Sequence, residues 1–189
     1  MTSQLVENLR RKQFNYEEEL TQVECIKDLS ESVSILGNKY GPFQRGNSYK
    51  MPFFVAKIFI GNNYMKLNNE LGIAGIRKHS FQESGSKDFK KMGKNVFLRM
   101  KEELNIAKIK YMKNHIPESD VKEFQTNMYD FYRVRLNKLL RFASSSQPLH
   151  KKRQILSEEE QELYEILCQS ISDFLEFIRN GDQGTDCKK

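Results

Sequence analysis

Along the C-terminal half of the chain, apolar residues recur at helical spacing. Counting from Asp88, a capping candidate, Phe89, Met92, Val96, Met100, Leu104, Ala107 and Tyr111 fall on one side. Pro117 closes that run. Glu118 to about Ala143 opens a second helix, with Val121, Phe124, Met128, Phe131, Leu136 and Leu139 on its stripe. A serine-rich loop, Ser144–Pro148, follows. Ser157 and Glu160 then have the spacing of a capping box, and the helix they open carries Leu163, Leu167, Ile171, Phe174 and Ile178 before Asn180-Gly181 ends it. A buried large apolar side chain is worth about 1.5–3 kcal/mol. Three helices with such stripes and short connections therefore predict a bundle.

The N-terminal half has a different rhythm. Ser32–Leu36 alternates, with Val33 and Ile35 on one face, and predicts a short strand. Gly37-Asn38 and Gly46-Asn47 are turn signals around an irregular segment at Gly41-Pro42-Phe43. Ser48–Met51 predicts another strand. Pro52 suits the first turn of a helix, and the i,i+4 pairs Phe54/Ile58 and Val55/Phe59 extend that helix over Phe53–Gly61. Asn62–Leu67 is a further strand candidate. The first thirty residues are polar and predict disorder or a frayed helix. Residues 68–88, with three glycines, predict a linker. The expected fold class is α+β, predominantly α: a small β-rich domain with a short helix (1–70), a linker or partly helical connection (71–88), a helical bundle (89–180) and a disordered tail (181–189).

Charge sharpens this division. The 189 residues carry 31 Lys+Arg and 25 Asp+Glu, a formal charge of +6. Residues 7–31 sum to −3, 87–115 to +6, 133–153 to +7 and 157–178 to −7. The last two blocks nearly cancel, which fits neighbouring helices of opposite charge at least as well as a phosphate-binding face. No uncharged run reaches ten residues, so no segment is suited to span a bilayer. The N-terminus lacks the apolar core of a signal peptide. Three cysteines far apart form no disulfide framework and favour a reducing, cytoplasmic setting.

Catalytic chemistry finds little support. Gly41 to Ser48 has the glycine spacing of a phosphate-binding P-loop, but Asn47 stands where the lysine must be. Turn glycines explain the pattern better. His79, His115 and His150 lie in separate segments without a metal-binding pair. Cys168 sits at core spacing. No catalytic residue, cofactor or metal site is expected, and the chain does not read as an enzyme. Two clusters suggest binding instead. Lys87, Lys90, Lys91, Lys94 and Arg99 form either a solvated face or a phosphate contact. Phe124, Tyr129, Phe131 and Tyr132 put aromatic groups on more than one side of a helix, as a thick core or a subunit interface would require.

Gly41, Pro42, Phe43, Gly46, Tyr49, Pro52 and Ala56 together resemble the small β domain of GINS-complex subunits. Phe54 stands where that family often has Trp. Tyr129, Arg133, Arg135, Lys138 and Leu139-Leu140, followed by Leu156-Ser157, Glu159-Glu160 and Tyr164, resemble the helical domain of the same family. The small domain comes first, similar to the Psf-two and Psf-three class and its archaeal counterpart. The resemblance implies a non-catalytic scaffold in DNA replication, a replisome component and helicase accessory factor. It implies a heterotetramer, two plus two, with a second GINS subunit class, bridging the MCM helicase and a RecJ/Cdc-forty-five-like protein in the cytoplasm near the nucleoid, or in the nucleus of a eukaryote. The expected interface set is Phe124, Met128, Tyr129, Phe131, Tyr132, Arg133, Arg135, Lys138 and Tyr164. The alternative is a basic helical module that binds nucleic acid directly through Lys87, Lys90, Lys91 and Lys94.

Overall fold

The computed structural model describes residues 4–68, 70–145 and 153–181. The chain runs α1 (Gln4–Glu18), β1 (Leu20–Cys25), β2 (Val33–Ile35), β3 (Asn38–Tyr40), β4 (Ser48–Pro52), α2 (Phe53–Gly61), β5 (Met65–Leu67), α3 (Gly72–Ser84), α4 (Val96–Met112), α5 (Glu118–Ala143) and α6 (Glu158–Gly181). This is a small β unit followed by a helical bundle.

Of the first thirty residues, those from Gln4 onward are described, and they form a full helix and a strand rather than a polar segment without regular structure. They supply α1 and the central strand of the sheet. The sheet order is β4-β1-β5, antiparallel throughout, while β2 and β3 form a separate hairpin. In β1 only Val23 and Cys25 point fully inward, which is too short an alternation to stand out from its polar neighbours. Opposite Glu24 lies Lys66, and the two form an ion pair at 3.1 Å. The strand expected over Asn62–Leu67 occupies only its last three residues.

Gly41, in the irregular segment, has φ +104°, and a Cβ there would meet the Glu31 carbonyl oxygen at 3.1 Å. Phe43 is buried edge-on against Tyr49 and Phe59, with ring centroids 4.8 and 5.2 Å away. The amides of the P-loop-like segment are taken up within the chain. Phe43 N–H donates to Leu29, Gln44 N–H to the Tyr49 hydroxyl, Arg45 N–H to Asp28, Gly46 N–H to Cys25 and Asn47 N–H to Gln44. Pro52 ends β4 and precedes the first residue of α2; Phe54 is half-buried against the β-unit core.

The segment expected as a linker or partly helical connection holds α3, packed along α5. Its first amides have no cap from their own sequence. Instead Leu71 and Gly72 donate to the two carboxylate oxygens of Glu103 on α4, each at 3.0 Å. Burial pushes the Glu103 carboxyl above its ordinary range, an effect the two amides and Arg99 only partly offset.

The helix expected from Asp88 starts only at Val96, a correction with a clear cause. Gly93 interrupts the run, and Asn95 takes a left-handed φ of 56°. The carbonyls of Asp88 and Lys90 accept from Lys138 and Arg135 on α5 rather than from a helical turn. Glu118–Ala143 and the Ser157 start of α6 match their expected positions. The loop expected at Ser144–Pro148 falls partly, and the tail from 182 wholly, outside the described residues.

Helix α4 joins the two halves. Its Ile106 belongs to the β-unit core with Phe53, Val55, Phe59 and Met65. Its Val96, Met100 and Leu104 belong to the bundle core with Ile76, Val121, Phe124 and Phe131. Lys57 on α2 bridges Glu17 on α1 and the fully buried Glu102 on α4 at 3.2 and 3.0 Å. The Tyr16 ring on α1 packs tilted against Phe53 with centroids 5.0 Å apart, and burial raises its phenol to about 12.

Candidate subunit interface

The inward stripe of α5 changes character along its length. Val121, Phe124, Met128 and Phe131 are apolar, but the next inward positions are Arg135 and Lys138. Both cations are buried, as are their partners Glu83 on α3 and Glu160 on α6. Arg135 donates through Nε and Nη2 to both oxygens of Glu160, a fork-to-fork pairing, with the Nη2 bond at 2.6 Å. Its Nη1 reaches Glu83 Oε2 and the Lys90 carbonyl, each at 3.0 Å. Lys138 Nζ donates to the Glu83 carboxylate, the Glu83 carbonyl at 2.7 Å and the Asp88 carbonyl at 3.0 Å. The guanidinium carbon of Arg135 sits 4.9 Å from the Phe89 ring centroid.

Glu160 has a second role. It accepts from Ser157 N–H at 3.0 Å, while its own N–H donates to Ser157 Oγ at 3.3 Å, which completes the capping box. One carboxylate thus starts α6 and fastens it to α5. Leu156, Leu163, Tyr164 and Leu167 pack nearby around Leu139 and Phe89.

Beyond that anchor α6 leaves its own chain. Ile166 is 43% exposed, Phe174 62%, Leu175 47%, Phe177 73% and Ile178 52%. The C-terminal half of this helix is amphipathic, and among the described residues nothing covers its apolar side. On α5, Tyr129, Leu136 and Leu140 are also exposed, at 40–56%. An apolar groove of about 940 Å³ runs between α1 and the α5–α6 junction, lined in part by Leu5, Leu9, Tyr129, Tyr132, Leu136 and Leu163. Lys12 ties α1 to the start of α6 through Glu158 and Glu162 at 2.9 and 3.3 Å.

A family model described as the GINS complex protein helical bundle domain (Sld5) matches residues 75–178, more than half of the chain. The chain belongs to the GINS family. The match begins inside α3, ends inside α6 and leaves the β unit ahead of it. No curated protein matches the chain. GINS membership assigns it to the GINS complex and to DNA replication.

Within this GINS chain the sequence-derived interface residues divide. Phe124, Met128 and Phe131 are buried in the bundle, and Arg135 and Lys138 in the ionic anchor, so intramolecular contacts already occupy them. Tyr132 is largely buried, donates to the Phe97 carbonyl at 3.1 Å, and has its phenol raised well above the ordinary range by desolvation. Tyr164 packs beside Leu139. Tyr129 and Arg133 face solvent, Arg133 pairing with Asp130 at 3.2 Å.

The small-domain motif is structural: Phe43 is core, Tyr49 braces the 43–47 loop, and Gly46 turns it. Of the lysine cluster, Lys94 is tied to Glu19 at 2.9 Å and Arg99 to Glu103 at 3.0 Å, while Lys87, Lys90 and Lys91 are exposed. Among the described residues there is no group of three His, Cys, Asp or Glu able to hold a metal, and no helix long and apolar enough to cross a membrane.

Sequence names the helix over 157–180 as a contact element but singles out neither Glu83 nor the individual residues at the exposed end of α6. Glu83 lies in a stretch whose glycines suggest a linker. The end of α6 carries the same periodicity as a core-facing helix, and periodicity does not say whose core it faces.

Proposed function

We propose that this GINS chain is a non-catalytic scaffold subunit that meets a second GINS subunit class through the C-terminal half of α6 and the Tyr129–Leu140 face of α5. The supporting observation is the uncovered set Ile166, Phe174, Leu175, Phe177 and Ile178. Each such side chain gains about 1.5–3 kcal/mol on burial, so the set holds on the order of 10 kcal/mol of apolar driving force. A contiguous patch of this kind marks an interaction surface. The acidic flank of α6, with Asp173 and Glu176, favours a partner helix edged with Lys or Arg over pairing with an identical copy. In this reading the assembly is a heterotetramer, two plus two, and bridges the MCM helicase and a RecJ/Cdc-forty-five-like protein near the nucleoid.

Co-expression with a chain of the second GINS class, followed by light scattering, tests the assembly. The wild type should form the mixed tetramer. Phe174→Glu with Ile178→Glu should leave the melting temperature within experimental error yet prevent assembly. A monomeric wild type, or a variant that assembles fully, would reject this interface. Pull-down of the tetramer with MCM and with the RecJ-like protein tests the bridging step separately.

A further inference from the structure

Where the last turn of α3 lies against the last turns of α5 there is a polar pocket of about 470 Å³. It is lined by Ser84, Ser86, Lys87, Asn137, Lys138 and Arg141. Lys138 is the buried member of this lining, and all three of its N–H donors are committed to Glu83 and Asp88. One of those bonds meets the Glu83 carbonyl and so offsets the negative pole of α3. The buried set of Glu83, Glu160, Arg135 and Lys138 has no net charge. The field in the pocket therefore comes from its surface groups.

Those groups are cations without counterparts. Among the described residues, the side chains of Lys87, Lys90, Lys91 and Arg141 have no hydrogen-bond or ion-pair partner, in contrast to Lys94, Arg99 and Lys101. Asp88 is the only acid in the loop, which leaves a local excess of three positive charges. Among the same described residues, the Asn137 side chain has no partner either. Ser86 Oγ accepts from Asp88 N–H at 3.2 Å, which leaves its own O–H to donate. One turn before Ser84, on the same face of α3, Phe81 is 81% exposed. Among the described residues, no ring or cation contact uses it.

We infer that this pocket and its rim bind the backbone of a single-stranded nucleic acid. Arg141 presents a fork that fits one phosphate, and Lys87 supplies a point charge to the same group. Asn137 and Ser86 add neutral donors. Lys90 and Lys91 continue the track to the next phosphates, and Phe81 offers a platform on which a base stacks. The pairing of unpartnered cations with an exposed aromatic ring selects a single strand over a duplex, whose bases are already stacked. This activity is separate from the scaffold role and needs none of the α6 surface.

Fluorescence anisotropy of the full chain with a labelled oligothymidine strand, from 50 to 200 mM NaCl, tests the site. Affinity should fall with salt at a log–log slope of about −0.7 per phosphate engaged. Lys87→Ala with Arg141→Ala removes the contact to one phosphate and should make that slope shallower by about 0.7. Phe81→Ala should weaken binding by about 5- to 100-fold and leave the slope unchanged. Lys39→Ala with Lys50→Ala removes equal charge from exposed positions on the β unit and should change neither. The inference is overturned if the wild type does not bind at 50 mM NaCl, or if the β-unit pair weakens binding as much as the pocket pair. It is equally overturned if a duplex of the same length binds as tightly and Phe81→Ala has no effect.

Discussion

Replacing Glu83 with alanine removes one acid from a buried set of two acids and two bases. Arg135 keeps both oxygens of Glu160, but Lys138 is left with two carbonyls and no anion, and Lys90 N–H loses an acceptor at 3.2 Å. Glu83 has no exposed surface and Lys138 is 4% exposed, so water cannot replace the lost carboxylate. Breaking a buried ion pair from one side costs about 3–5 kcal/mol. For a chain of this size 1 kcal/mol corresponds to about 2–4 °C, so the melting temperature should drop by about 6–20 °C. In urea the midpoint should move while the m-value stays constant.

Removing both partners, Glu83→Met with Lys138→Met, leaves Arg135 and Glu160 as a neutral pair. It should recover much of the loss, because the penalty lies in the orphaned charge rather than in the missing attraction. A cost below about 1 kcal/mol for Glu83→Ala would show that the cluster is hydrated. A double variant no more stable than the single would show that charge imbalance is not the cause.

Two further outcomes concern the same region. Ser157→Ala removes the hydroxyl that accepts from Glu160 N–H and should cost about 1 kcal/mol in urea denaturation, with the effect centred on the start of α6. His79 has its imidazole pKa lowered, first by burial and then by Lys78, Arg99 and Arg135. The folded chain therefore binds fewer protons than the unfolded one. Stability should be fully present above the ordinary imidazole value of about 6.5 and fall as pH drops through that value toward the lowered one. His79→Gln should flatten this part of the stability–pH curve, and an unchanged slope would mean that another group carries it.

Sequence pattern exposed the elements whose apolar stripes and end signals coincide. Phe53–Gly61 has Pro52 before it and a glycine at its end, Glu118–Ala143 follows Pro117, and α6 opens on Ser157. It failed where tertiary partners outweigh local preference. The apolar run Phe89–Met92 looks helical, yet two buried cations on α5 draw its carbonyls away and Asn95 delays the start of the helix. Helix α3 contains Gly72 and Gly75, which read as breakers, and β1 has only two inward residues.

For the proposed interface, most of the α5 residues expected from sequence lie inside the chain, whereas the exposed apolar set lies on α6 and the outer face of α5. The basic positions Arg135 and Lys138 have the composition of a surface and the location of a core. What distinguishes them is an acid on α3, 52 and 55 residues away. No local pattern links residues across that distance.

The two ends of α3 have a kinetic consequence. Its first amides are held by Glu103 from α4, and its final-turn carbonyl by Lys138 from α5. A thirteen-residue helix with internal glycine and no N-terminal side-chain cap of its own is marginal in isolation. It cannot nucleate the bundle and must wait for α4 and α5 to meet. Contacts that form after the rate-limiting step govern how fast a protein opens rather than how fast it closes. The helix that completes the bundle is therefore the one whose clamps set its lifetime, and amide exchange along α3 should report that opening before any in α5.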